Sequence, residues 1–75
     1  MKTRLLFEDV PIHYELNTRD YPIMSKGIHI EYRGIRIKDG EKVYKIDGVY
    51  SVTDVKLIHD SRDGFIQYLS LFPVE

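Results

Sequence analysis

Three Asp-Gly steps (Asp39-Gly40, Asp47-Gly48 and Asp63-Gly64), together with Arg33-Gly34, cut this chain into short segments of alternating apolar and polar residues. Asp-Gly between such runs is a strong local signal for a β-hairpin, because the tight turn needs positive φ and glycine takes it without steric cost. The punctuation predicts a succession of short strands joined by tight turns. It specifies shape and carries no chemistry of its own.

The residues between the turns agree with it. Nine Ile, six Val and six Tyr favour a pleated, half-buried surface, while alanine, the best helix former, is absent. Seventy-five residues make a single domain, 1–75. A chain of this size buries only about 60% of its unfolded surface. With no cysteine, neither a disulfide framework nor a thiolate metal cage can help, so aliphatic and aromatic packing must supply the core. The same lack fits a reducing, cytoplasmic compartment. Leu5-Leu6-Phe7 is too short for a signal-peptide core, and no segment approaches transmembrane length, so no membrane association is expected.

Proline at position 11 interrupts the first segment, Arg4 to Leu16, and marks a bulge, a kink or an edge. Beyond it Ile12, Tyr14 and Leu16 face one way, with His13 and Glu15 opposite. Asn17 to Gly27 has no period, and its eleven residues are long for a connection in a small β domain. Ile28, Ile30 and Tyr32 resume the alternation, whose phase slips at Gly34. Arg33-Gly34 is therefore either a hairpin turn setting Tyr32 against Ile35, or a bulge bending one long strand. The Asp39 to Lys42 loop pairs Ile37 with Tyr44 and Ile35 with Ile46. Asp47-Gly48 would turn the chain again and set Ile46 opposite Tyr50, Tyr44 opposite Val52 and Lys42 opposite Asp54. A last hairpin from His59 to Gly64 matches Ile58 with Phe65, Leu57 with Ile66 and Val55 with Tyr68. The final strand, Phe65 to Phe72, is apolar on both faces, as suits a central strand.

The expected fold is all-β, with little or no helix. It is a strongly bent antiparallel meander or barrel of five or six strands, SH3-like in preference to OB-like, since no stripe of period 3.6 marks the helix an OB fold usually carries.

Few residues carry recognisable chemistry. His13 and His29, beside Glu15 and Glu31, would share a polar face if their strands were neighbours, but no metal-ligand spacing accompanies them and no metal or cofactor is expected. None of Ser25, Ser51, Ser61 and Ser70 has a nucleophile-elbow context, so no catalytic residue is assigned and the chain is not expected to be an enzyme. Arg33, Arg36, Lys38, Lys42 and Lys45 form a local basic stripe interleaved with Tyr32 and Tyr44, the combination used by single-stranded nucleic-acid platforms. Against that, eleven basic and twelve acidic side chains leave a net charge of -1, and the tyrosines alternate toward the core side. Of the stripe, Arg33, Arg36, Lys38 and Lys45 are the candidate anion or nucleic-acid contacts. Tyr21, Pro22, Ile23 and Met24, in the aperiodic loop, are the candidate partner-binding residues, because an aromatic, a proline and a thioether together are common in binding patches. Alternatively, Tyr21, Ile23 and Met24 fold back and plug an open barrel end.

Very short, all-β and free of Cys, Trp and Ala, the chain resembles small proteins encoded by phages and other mobile elements. From Gly34 to Leu71, its Lys42-Val43-Tyr44, Asp47-Gly48-Val49-Tyr50 and Val52-Thr53-Asp54-Val55 order is loosely similar to the β-rich cores of phage head–tail connector proteins. That resemblance implies a phage or prophage accessory protein, either an assembly component or an inhibitor of a host system. The expected function is a non-catalytic module that binds a protein partner and associates with itself. The alternatives are a nucleic-acid-binding barrel and a binder of a small anion at a subunit interface.

Overall fold

The computed structural model describes residues 1–17 and 19–74; Thr18, within the aperiodic loop, lies outside them. The strands are β1 (Lys2–Phe7), β2 (His13–Asn17), β3 (His29–Asp39), β4 (Lys42–Asp60) and β5 (Gly64–Pro73). They form one nearly closed, barrel-shaped sheet in the order β2-β1-β5-β4-β3, with no helix among the described residues. The all-β reading holds, with five strands. Three pairings are antiparallel, as expected, but β1 lies parallel to β5, from Lys2 opposite Ile66 to Phe7 opposite Leu71. That contact joins the two hairpin groups across 64 positions of sequence, and no turn residue announces it.

β4 gives the sheet its curl. Its first part pairs with β3 as far as Ser51, and the part from Tyr50 onward pairs with β5. Asp47-Gly48 is therefore no turn: the chain runs straight through it, and the predicted pairings of Ile46, Tyr44 and Lys42 with Tyr50, Val52 and Asp54 do not form. Arg33-Gly34 is likewise no hairpin. Tyr32 stands opposite Gly48 and Ile35 opposite Ile46, so Arg33 and Gly34 together face Asp47 alone. This two-against-one bulge bends the strand pair, with Gly34 at φ +66°. The Gly34 N–H donates to Asp47 Oδ1 at 2.8 Å, which supplies the partner that the bulge removes from the ladder. That bond, ahead of the nearby Lys45 ammonium, holds the Asp47 carboxyl below its ordinary range. A second register shift, between Val52 and Asp54, bends the β4–β5 pair.

The Asp39-Gly40 prediction holds, with Ile35 opposite Ile46 and Ile37 opposite Tyr44. The last hairpin is present but slipped by one residue, pairing Ile58 with Ile66, Leu57 with Gln67 and Val55 with Leu69. The slip comes from the turn. Asp60 Oδ1 accepts the N–H groups of Arg62 (2.8 Å) and Asp63 (3.3 Å), and this Asx arrangement brings Asp60 opposite Gly64.

All five strands contribute to one core. Leu5, Phe7, Tyr32, Ile37, Ile46, Tyr50, Val52, Leu69 and Leu71 are buried, with Tyr14 and Leu16 of β2 packed against them. At its centre Phe7, Tyr32 and Tyr50 meet edge to face, with centroids 5.2 to 5.7 Å apart. Such pairs add roughly 0.5–1.5 kcal/mol each beyond the area they bury. As expected for the final strand, β5 is central, with Leu69 and Leu71 fully buried inside and Ile66 buried on the outer face.

An alanine at Gly34 would meet no atom within 4 Å, so its cost is one of backbone conformation alone. Gly34→Ala should lower the unfolding free energy by roughly 1–2 kcal/mol in urea titration, and Gly34→Asn by clearly less, since Asn tolerates the left-handed region.

Candidate interaction surface

Gln67 breaks the apolar run of β5 and points inward, where it is fully buried. An amide there must find partners for both its donors and its acceptor. It finds three. Its Nε2 donates to Thr3 Oγ1 at 3.2 Å and to the Pro22 carbonyl at 3.1 Å, and its Oε1 accepts the Met24 N–H at 2.7 Å. One side chain thus ties β1, β5 and the aperiodic loop together. A second tie joins the hydroxyls of Tyr21 and Tyr32, and burial raises the pKa of both phenols above the ordinary range.

The candidate partner-binding residues divide accordingly. Tyr21 and Met24 turn in and pack against the core, as the plug alternative expects, while Ile23, its third member, does not. Pro22 and Ile23 stay on the surface, Ile23 at 64% exposure. Leu57, opposite Gln67 in β4, is 51% exposed, and Phe65, two residues before Gln67, is 54% exposed. Phe65 leans on His59 at a ring distance of 4.8 Å. By register, Leu57, Phe65 and His59 share the inner side of the β4–β5 hairpin with Gln67, beyond the end of the core. The Gln67 bonds to residues 22 and 24 hold Ile23 at the same end. Leu57, Phe65 and Gln67 escape prediction because a one-residue slip in register moves every side chain of a hairpin to the other face. The available signal is a lone amide within an apolar strand.

The basic stripe is arranged differently from a stacking platform. Arg36 lies directly opposite Lys45 and Lys38 opposite Val43, on the outer side. Arg33 pairs with Glu31 at 2.9 Å and Lys45 with Asp47 at 3.4 Å, while Lys42 faces Asp39. Tyr32 is buried in the aromatic trio and Tyr44 packs against the core, so neither ring lies beside the cations. His13 and His29 sit on β2 and β3, the two ends of the strand order, and are not cross-strand neighbours. Among the described residues no group of three His, Asp or Glu side chains is placed to hold a metal ion.

Elsewhere on the outer face, Lys2 bridges Glu15 (3.3 Å) and Asp63 (3.5 Å), and Arg4 reaches Glu15 (3.3 Å) and the Tyr68 hydroxyl (2.9 Å). The Lys2–Glu15 hydrogen bond raises the lysine and lowers the carboxyl. At this exposure such pairs orient strands more than they stabilise them.

The Tyr50 hydroxyl donates to Asp9 Oδ2 at 2.8 Å, pinning the β1–β2 turn to the aromatic trio. Burial first, then this bond to a carboxylate, pushes Tyr50 up to about 12. Its neutral form is therefore favoured by the fold. The stability it confers is complete below about pH 10, where an unfolded tyrosine titrates, and is lost as pH rises toward 12. Unfolding followed against pH should show a steep alkaline decline over that interval, flattened in Tyr50→Phe.

Gln67→Leu should cost about 1–3 kcal/mol by leaving buried partners unsatisfied. Its signature is faster amide exchange at Met24, with β3–β4 amides little changed.

Among protein-family models, curated proteins and solved structures, none matches this chain.

Proposed function

We propose that this chain is a non-catalytic interaction module. It is a small barrel, of the SH3-like kind its turns suggest, that holds Pro22 and Ile23 rigidly beside Leu57 and Phe65 to receive an apolar segment of a protein partner. The observation that carries this reading is the anchoring of an exposed Ile23 by a fully buried glutamine. Large apolar side chains gathered at one end of a soluble domain are a common mark of a docking site. Holding the loop in place before binding reduces the ordering cost of association. An accessory role in a phage or prophage, acting in the cytoplasm, is the most specific form of the proposal. No helix among the described residues is long and apolar enough to cross a membrane.

The nucleic-acid reading rests on Arg36 opposite Lys45, two like charges that an anion would relieve. One experiment separates the two. Affinity capture from the native host uses the intact chain, Ile23→Ser with Phe65→Ser, and Arg36→Glu with Lys45→Glu, each verified as folded. The expected result is a protein recovered by the intact chain and the Arg36/Lys45 variant but lost from the Ile23/Phe65 variant. Loss from the Arg36/Lys45 variant alone, or recovery of nuclease-sensitive material, would transfer the site to the basic stripe.

A further inference from the structure

β3 leaves β4 early. Their pairing ends at His29 opposite Ser51, and the last backbone bonds on that side join Val52 to Gly27 and Ile28 at 2.8 Å. From Asp54 to Asp60, β4 keeps β5 on one side and, among the described residues, has no strand on the other. This is a seven-residue edge, Asp54-Val55-Lys56-Leu57-Ile58-His59-Asp60, inside a chain whose aggregation-prone strand β5 is covered on both sides. A lysine on such an edge ordinarily keeps other strands away. Here the edge also carries its own complement.

We propose that two copies of this chain pair edge to edge through this part of β4, antiparallel about a two-fold axis at Ile58. Residues directly opposite in a continuous sheet share a face, so a symmetric register must centre on a residue. Centring on Leu57 sets Asp54 against Asp60 of the partner subunit, and centring on Lys56 sets two lysines together. Centring on Ile58 places Ile58 against its equivalent, Lys56 against Asp60 of the partner subunit, and Leu57 against His59 of the partner subunit. It also carries Asp54 toward Arg62 of the partner subunit. Of these three only the last sets opposite charges together without opposing like ones. Centring on Val55 also sets Asp54 against Lys56 of the partner subunit, but it uses only three residues of the edge because Val52 is already bonded to Gly27 and Ile28.

Within one chain the match cannot be made. Lys56 and Asp60 share a face four residues apart on a strand, about 13 Å at the usual rise. The turn uses only Asp60 Oδ1, so the other carboxylate oxygen is left for a lysine. The pairing engages backbone, the outer-face side chains Lys56, Ile58 and Asp60, and, on the inner side, Leu57 beside His59 of the partner subunit. It shares Leu57 with the proposed docking surface but does not use Ile23 or Phe65, so substitutions at those two positions separate the two readings.

The test starts from the absence of cysteine. Ile58→Cys puts two thiols directly opposite each other across the axis, at a separation a disulfide accepts. It should form a covalent dimer rapidly under mild oxidation, whereas cysteine at exposed Val43 should not. In sedimentation equilibrium the intact chain should dimerise at high micromolar concentration, and Lys56→Glu should weaken this roughly tenfold. Asp60→Asn, which keeps the turn acceptor but removes the charge, should weaken it similarly. The Ile23→Ser, Phe65→Ser double variant should dimerise normally. A monomer at that concentration, a dimer indifferent to both charge variants, or preferential cross-linking at position 43 would overturn the proposal.

Discussion

One buried amide sets the form of this molecule's open end. Gln67 lies where the core of a small barrel runs out, and residues 20–27 of the loop that covers it form no strand or helix. Each of its three hydrogen bonds is worth about 1 kcal/mol net, but an unmet partner in that position costs more than the bond returns. The arrangement therefore favours completeness: the loop is docked with both of its bonds to Gln67 made, or it is away with the amide open to water. Thr3, also fully buried, fixes the amide's orientation from the β1 side. Tyr21 and Met24 can then pack and Ile23 can remain outside.

At the centre of the core, aromatic contact is the organising force. Phe7, Tyr32 and Tyr50 come from β1, β3 and β4, so the trio joins a strand from near the middle of the sheet to one at its edge. Two of its members carry hydroxyls, and each is used: Tyr32 toward the loop, Tyr50 toward Asp9. The cluster thus holds both long connections, the β1–β2 turn and the aperiodic loop. With 75 residues and no disulfide, such double use of side chains is how a small core reaches loops it cannot cover.

What the sequence discloses depends on how local the interaction is. The all-β class, the Asp39-Gly40 hairpin and the central place of β5 follow from alternation and turn chemistry within a few residues of one another. Asp47-Gly48 misleads because the same dipeptide serves equally as the partner of a bulge. Its glycine, at φ +113°, lies inside a strand, and its aspartate bonds across to Gly34. The last hairpin slips because Asp60 captures two turn amides, a side-chain effect that alternation does not register. The parallel β1–β5 pair and the Gln67 anchor join residues more than forty positions apart, where no local pattern reaches. Of the proposed surface, Pro22 and Ile23 are legible as apolar residues in a loop. Leu57 and Phe65 are hidden as ordinary strand residues.

The parallel seam between β1 and β5 also bears on how the chain is made. β1 pairs with β2 soon after both leave the ribosome, but its other edge must wait for Gly64–Pro73. A two-stranded hairpin is marginal in water by itself. During synthesis, then, Leu5 and Phe7 lack their β5 neighbours until the end. Although the Phe7 ring meets Tyr32 of β3 and Tyr50 of β4, no backbone pairing ties β1 to either strand without β5 between them. Folding is deferred until nearly the whole domain has emerged, and the nascent chain depends on the charged residues of β1 to β4 to stay in solution until the uncharged β5 closes the seam.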